Sequence, residues 1–593
     1  MDGRSNFPTQ GAVKGRTNTL GGLAGLMLAL GGCYTGASVD VNADGATDGV
    51  ADAGSGAGPG GSGADGGDGS DGGDDTGEPA GSCLDAIQPT ALRRLSPEQA
   101  RNTVRDLFGV PDLEITYEDD TEVITELGVR QLRSTADAVI AARDAWSTDV
   151  YGCDTAGALD DACTETFIRS FGPKVFRRPI ADSEVDLLMS VYENAAYGEQ
   201  LSYADSLDVV LSTMLQAPAF IYVMETGTPV EDVAGTVLAL DGYSVANRLS
   251  YFLWDSMPDD ALFAAAEAGE LSSEAGISAQ VERMLQSPRA KDRIRKMVTK
   301  WLHIDGAGLR IVLEDSVKDP DLYPEFSPAL MEAMRIEVEA LVDRALLEGG
   351  DAGFEMLMTS REAYVNASLA ELYGVQGPAD DDSWAWVTLP EEERAGILTR
   401  AAFLTVHAGQ RVQSPIFRGV YVIEEILCGE LGDPPPTAND TPVEEPLDPD
   451  ADPMTVRELV DARTMNDATC AACHALINPP GFLFEHYDAL GRWRSTEVQS
   501  GLEIDAVAEL TMGDAAGPMS DALAMSQALV DSGDARACFA KKWAEIALDA
   551  ETFDPCTEEQ VVAAFVQSGD VNALLEGIVR SPAFRYVRVQ EEE

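Results

Sequence analysis

The sequence predicts a mainly α-helical, multi-domain assembly with a disordered N-terminal tether and a small helical C-terminal unit. From Cys83 onward apolar residues recur at spacings of three and four, while strictly alternating runs are scarce. Ser or Asp beside Pro repeatedly stands where a helix would begin. The chain has 593 residues, 45% hydrophobic and 24% charged, which is enough to bury several cores. Its 41 basic and 102 acidic residues give a net charge of −61, which repels nucleic acid and anionic membrane. No nucleic-acid partner is expected. No run reaches the roughly 18–20 apolar residues of a spanning helix, so any membrane association should come through a lipid anchor only.

Residues 1–33 read as an export segment. Arg4, Lys14 and Arg16 precede a short apolar run, Leu20 to Leu30, and Leu30-Gly31-Gly32-Cys33 is similar to a bacterial lipobox. Cys33 is then the lipid-modified residue of a periplasmic, outer-membrane or cell-surface lipoprotein. Residues 34–82 are Gly, Asp, Ala and Ser with almost no large apolar group, and predict a disordered tether. Within them Asp40, Asn42, Asp44 and Asp48 approach a calcium-loop spacing but lack its twelfth-position Glu.

The folded part divides by pattern into helical modules at 83–160, 161–230, 231–370, 371–500 and 501–593. Ser96-Pro97-Glu98-Gln99 offers a cap, a first-turn proline and a reaching-back Gln, so 94–108 should be a helix ended by Gly109. A helix closes at Phe176-Arg177-Arg178-Pro179, and the next opens at Asp182 and runs to about Tyr197. Leu215-Gln216-Ala217-Pro218, Leu285-Gln286-Ser287-Pro288 and Arg580-Ser581-Pro582 echo one another as helix corners. Tyr243 to Trp254 and Ile277 to His303 continue as helices with an aromatic inner face. Pro434-Pro435-Pro436 and Thr441 to Pro453 predict a stiff connector before the smaller C-terminal unit.

Setting Cys33 aside, eight cysteines remain, an even number that favours disulfides outside the cytoplasm. Local spacing predicts Cys153 with Cys163 and Cys538 with Cys556, leaving Cys83 with Cys428 by elimination. Cys470-Ala471-Ala472-Cys473-His474 is the sharpest motif. Two thiols one helical turn apart can reach the two vinyl groups of a haem, and the adjacent imidazole can meet the iron. This predicts haem c, held by Cys470, Cys473 and His474, in a cytochrome c-like C-terminal unit. A redox dithiol, a structural disulfide and a zinc site are the rival readings of the same motif.

Pro479 and Pro480 should stop the attachment helix and place a backbone carbonyl on His474 Nδ1. Phe482, Leu483 and Phe484 should wall an apolar pocket, and Arg492 and Arg494 should face haem propionates or form surface ion pairs, with Trp493 against the ring edge. Met512 is the first candidate for a distal iron ligand, ahead of Met519, His486 and His407, with an open position as the alternative. One-electron transfer with an unknown redox partner is the expected function. The alternatives are a haem-dependent oxidase or peroxidase acting on an extracellular substrate, and a non-catalytic surface scaffold with a Cys470–Cys473 cross-link. No G-x-S-x-G or H-E-x-x-H string supports a hydrolase.

The succession RRLSPEQARNTVRDLFG (93–109), FGPKVFRRPIADSEVDLLMSVYENA (171–195), LSTMLQAPAFIY through ANRLSYFLWDSMPDDAL (211–262), ILTRAAFLTVHAGQRVQSPIFRGVYVIEEIL (397–427) and CAACHALINPPGFLFEHYDALGRWR (470–494) resembles large exported proteins built from planctomycete-type cytochrome-associated domains of unknown function. The resemblance covers most of residues 84–590 and implies five consecutive modules, the fourth with the haem-attachment motif. Ala547-Leu548-Asp549 departs from the Leu-Gly-Arg ending the resemblance would imply.

Overall fold

A computed structural model describes residues 81–589 apart from 90–91, 119–123, 306–311, 433–451, 549 and 551–552. The export segment, Cys33, the tether with its Asp40 to Asp48 spacing, and nearly all of the proline-rich connector lie outside the described residues. The fold is mainly α, as the periodicity predicts, with three small antiparallel sheets. Among the described residues no helix is long and apolar enough to cross a membrane.

Ser96 opens α1 (Pro97–Phe108) through a capping box with Gln99, and Gly109 closes it at φ 64°. The helix starts at Pro97 and not at Arg94, because Arg94 is paired in an extended bridge with Tyr222. α2 (Asp161–Phe176) ends on Arg177 in the left-handed region, and α3 (Asp182–Glu193) passes into one π-turn, Asn194–Gly198. With α4 (Tyr203–Leu215) these helices enclose a first core around Phe108, Trp146, Phe167 and Leu207.

A second, larger core runs from residue 240 to residue 587. β1 (Gly227–Pro229) and β2 (Val237–Leu240) lead into α5 (Gly242–Trp254), followed by α6 (Glu274–Leu285) and α7 (Pro288–Trp301). The segment Ile277 to His303 is thus two helices, because Pro288 has no N–H to continue the first and begins the second under a Ser287 cap. α8 (Pro328–Val342) packs on the hairpin β3 (Glu362–Val365) and β4 (Ala385–Thr388). α9 (Pro415–Tyr421), α10 (Val456–Thr464) and α11 (Ala468–Phe482) follow, then β5 (Ala508–Leu510) and β6 (Gly517–Met519). α12 (Gly533–Leu548), α13 (Pro555–Val566) and β7 (Tyr586–Arg588) complete the chain, and β7 pairs with β2.

Two proline corners share one device. Arg177, 1% exposed, donates to the carbonyls of Ala219, Phe220 and Tyr222 at 3.3, 2.8 and 3.1 Å. Arg248 does the same for Ala583 and Phe584, at 2.5 and 2.9 Å. Short helices end with unpaired carbonyls, and a buried guanidinium has five donors to give them.

Cys153 and Cys163 are bonded, as their spacing predicts, but the other four disulfide candidates pair as Cys83–Cys556 and Cys428–Cys538. The expected Cys538–Cys556 and Cys83–Cys428 pairs do not form. Cys538, 1% exposed, points from α12 toward the segment that ends at Cys428, where its Sγ lies 3.6 Å from Glu425 O. Cys556 sits at the start of α13, which packs on the N-terminal helix Gly81–Ala86. Helix packing, not nearness in sequence, selects the partner. Peptide mapping without reduction should therefore recover the 83–556 and 428–538 links. Replacing Cys428 and Cys538 by Ala should lower unfolding free energy by about 2–5 kcal/mol in a denaturant titration.

Candidate functional site

Asp467 caps α11, its carboxylate accepting from the N–H groups of Thr469 and Cys470, and those bonds hold it below the usual carboxylate range. Cys470, Cys473, His474, Ile477 and Asn478 then share one helical stripe, at intervals of three and four. Cys470 is half-buried and Cys473 exposed, and both are free thiols, whereas the other six described cysteines are all bonded. The first turns of α11 stand out from the body, with Ala468, Thr469, Ala472, Cys473, Ala475 and Leu476 exposed. From 468 to 484 there is no charged side chain, in a chain where 24% of residues are charged.

The helix does not stop at the two prolines; it runs to Phe482. Pro480 cannot donate to the carbonyl of Leu476, but Thr511 Oγ1 donates to it at 2.9 Å, and Ala475, whose carbonyl Pro479 leaves free, is exposed. Close packing does the rest. A Cβ on Gly419 of α9 would lie 2.0 Å from Ile477 O, and one on Gly481 would lie 1.9 Å from Pro415 O, so only glycines let α9 and α11 approach this far. Arg418, fully buried on α9, donates to the carbonyls of Phe484 and Tyr487 through Nη1 and to those of Leu404 and Asp488 through Nη2, all within 3.1 Å. Burial pulls its pKa down to about 10, which leaves it charged at neutral pH.

Because the helix continues, the partner of His474 Nδ1 is the side chain of Asn478, 2.9 Å away, and not a backbone carbonyl. The orientation of that amide follows from its other contacts. Asn478 Nδ2 lies 2.9 Å from Thr464 Oγ1, whose own proton goes to Val460 O, and 3.2 Å from the acceptor-only carboxylate of Asp461. Asn478 Oδ1 must therefore face His474, whose Nδ1 is the donor. The Nε2 lone pair is left available, which is the state in which imidazole binds a metal.

The remaining sequence-predicted residues lie elsewhere. Phe482 belongs to a small cluster with Val412, Val456 and Val460, while Leu483 and Phe484 are in the main core; they pack there and not around the motif, since the eight helical residues from His474 to Phe482 already span about 12 Å along the axis. Arg492 is paired with Asp488 and Glu325 and lies over the Tyr323 ring. Arg494 donates to Gln413 Oε1, and Trp493 stacks on His486 at 5.3 Å. Met512, immediately after the Thr511 that bonds α11, packs on Gly429, where a Cβ would lie 2.3 Å from its Sδ, and Met519 sits in the β5–β6 ladder. His407 is buried beside His303 and Tyr421, with Nε2 3.2 Å from Leu302 O. No group of three or more His, Cys, Asp or Glu side chains suited to a metal ion is present among the described residues. Asn478 was legible at position i+4 from His474, and was hidden only by reading the prolines as a stop.

Glu485 is the other unusual group. It is 1% exposed; Oε2 accepts from Gln413 Nε2 at 2.9 Å, and no donor among the described residues reaches Oε1. Burial pushes its carboxyl up to about 7, with Glu497 adding to the effect.

Three family models match in succession, each described as a protein of unknown function: DUF1595 (PSD5) over residues 163–225, DUF1592 (PSD4) over 240–375 and DUF1588 (PSCyt3) over 394–497. The last contains the whole of α9, α10 and α11. No curated protein and no solved structure matches the chain.

The raised carboxyl of Glu485 makes stability depend on pH with a definite sign. Its neutral form is favoured in the folded state, so the contribution is complete below the usual carboxylate range and is lost as pH rises through about 7. Glu485→Gln should gain about 3 kcal/mol over the unsubstituted chain at pH 8.5 and little at pH 4.5, read from urea midpoints.

Proposed function

We propose that this chain, which carries three consecutive planctomycete-type domains and so matches the multi-domain PSD/PSCyt family of unknown function, is an electron carrier with one covalently attached c-type haem. The observation that carries the reading is the state of His474: an imidazole whose Nδ1–H is held by Asn478 and whose Nε2 is free, next to the unbonded thiol of Cys473 and one turn after that of Cys470, on an uncharged stretch of helix. Bound there, haem would supply reversible one-electron exchange.

The chain's own residues supply the rest. Cys470 and Cys473 would hold the group through two thioethers, each thiol contributing S and H across one vinyl double bond with no net oxidation. Asn478, anchored by Thr464 and Asp461, fixes the ring of His474 and raises the basicity of Nε2. No side chain from 468 to 484 is charged, so covering the Cys470–His474 stripe with an apolar macrocycle would release water and desolvate no charge. Arg492 is engaged with Asp488 and Glu325, and Arg494 with Gln413, which braces the segment after α11. Attachment through Cys33 would tether the carrier to a membrane outside the cytoplasm, within reach of its redox partner.

Protein made with a haem-attachment system should give the pyridine haemochrome spectrum of one covalent haem per chain. Cys470→Ala with Cys473→Ala should abolish it, and colourless wild-type material with those two sulfurs bonded together would leave the scaffold reading. Asn478→Leu should keep the covalent haem and raise the reduction potential by on the order of 50 mV, close to a tenfold change in relative affinity for ferric over ferrous iron.

A further inference from the structure

The face of the β3–β4 hairpin turned from the core carries three aromatic rings. Register sets Tyr364 opposite Trp386, and the two-residue repeat of a strand puts Trp384 on the same side as Trp386. The Tyr364 ring stacks on Trp384 at 5.3 Å and 23°, and lies 5.3 Å from Trp386. Ala363 and Val365, on the opposite face, are fully buried. Trp386 is 39% exposed, whereas Trp146, Trp301 and Trp543 are at most 6% exposed. A cross-strand cluster present only to stabilise the hairpin would gain by burying that ring.

Beside the rings opens a cleft of about 410 Å³ lined by Ala340, Asp343, Arg344, Glu348, Tyr364 and Trp386, within the size range of small-ligand sites. Its polar groups are braced. Asp343 is held by Arg295 Nε at 2.7 Å, and the Arg344 guanidinium lies 4.5 Å from the Trp386 centroid and 3.9 Å from Glu362. Glu348 stands exposed at the rim.

We infer that this cleft binds a neutral carbohydrate chain, one pyranose lying against the exposed part of Trp386 that Arg344 and Tyr364 leave uncovered, with its hydroxyls meeting Asp343, Glu348 and Arg344. A sugar ring has an apolar C–H face and a hydroxyl edge, and the site pairs a flat aromatic surface with carboxylate acceptors and a guanidinium donor. Two carboxylates against one guanidinium, on a chain of net charge −61, disfavour uronate and sulfated polymers. Arg344 already takes the cation's place over Trp386, which disfavours an ammonium ligand. Nothing in this inference depends on haem.

The test is native affinity electrophoresis of the full chain in gels containing hydroxyethylcellulose, laminarin, arabinoxylan or galactomannan, with polygalacturonate as the acidic arm. At least one neutral polymer should retard the protein. Trp386→Ala and Glu348→Ala, each verified to keep the wild-type melting transition, should weaken that interaction at least tenfold. Absence of retardation by all four neutral polymers, retardation by polygalacturonate alone, or variants retarded as strongly as wild type would overturn the inference.

Discussion

A protein built from many short helices must satisfy the carbonyls at their inward-facing ends, and here buried guanidinium groups do so. Arg418 collects four backbone carbonyls from segments at 404, 484, 487 and 488, with no exposure to water. Each unpaired buried carbonyl would cost on the order of 1–3 kcal/mol, so the cluster is stable only with all its donors in place. Arg177 and Arg248 repeat the device at two proline corners, while Arg400 pairs with Glu337 and the carbonyls of Ser360 and Glu362. The placement of α11 follows from this arrangement: Arg418 fixes the chain just beyond its end, and Gly419, the next residue, admits its backbone.

Fixed at its far end, α11 can project its first turns beyond the body without a core of its own beneath them. The projecting surface is uncharged and its two thiols are unbonded, although the fold elsewhere joins its cysteines across as many as 473 residues. The network from Asp461 and Thr464 through Asn478 to His474 then selects one imidazole tautomer. That network spans α10 and α11, so the tautomer is set by tertiary packing and not by the motif alone.

Much of the fold was legible in the sequence because it rests on local rules. Ser96, Gly109, Pro288 and the other capping or proline positions mark helix ends wherever they occur, and the amphipathic spacing does the rest. The disulfides were legible only where the loop was short, at Cys153 and Cys163; the pairs Cys83–Cys556 and Cys428–Cys538 depend on which helices pack, which spacing does not encode. At the site, Cys470, Cys473 and His474 were evident from their order. Pro479 and Pro480 misled because the loss of a helical N–H is repaired from far away, by the hydroxyl of Thr511 on a later strand connection, and because the glycines that hold the helix in place belong to two different elements.

The most direct test of the central claim is the protonation pattern of His474 in the haem-free chain, read at pH 8 by long-range nitrogen–proton correlation NMR with labelled histidine. The account predicts a neutral ring protonated at Nδ1 with Nε2 bare, and loss of that preference in Asn478→Ala. A ring protonated at Nε2 in the unsubstituted protein would contradict it.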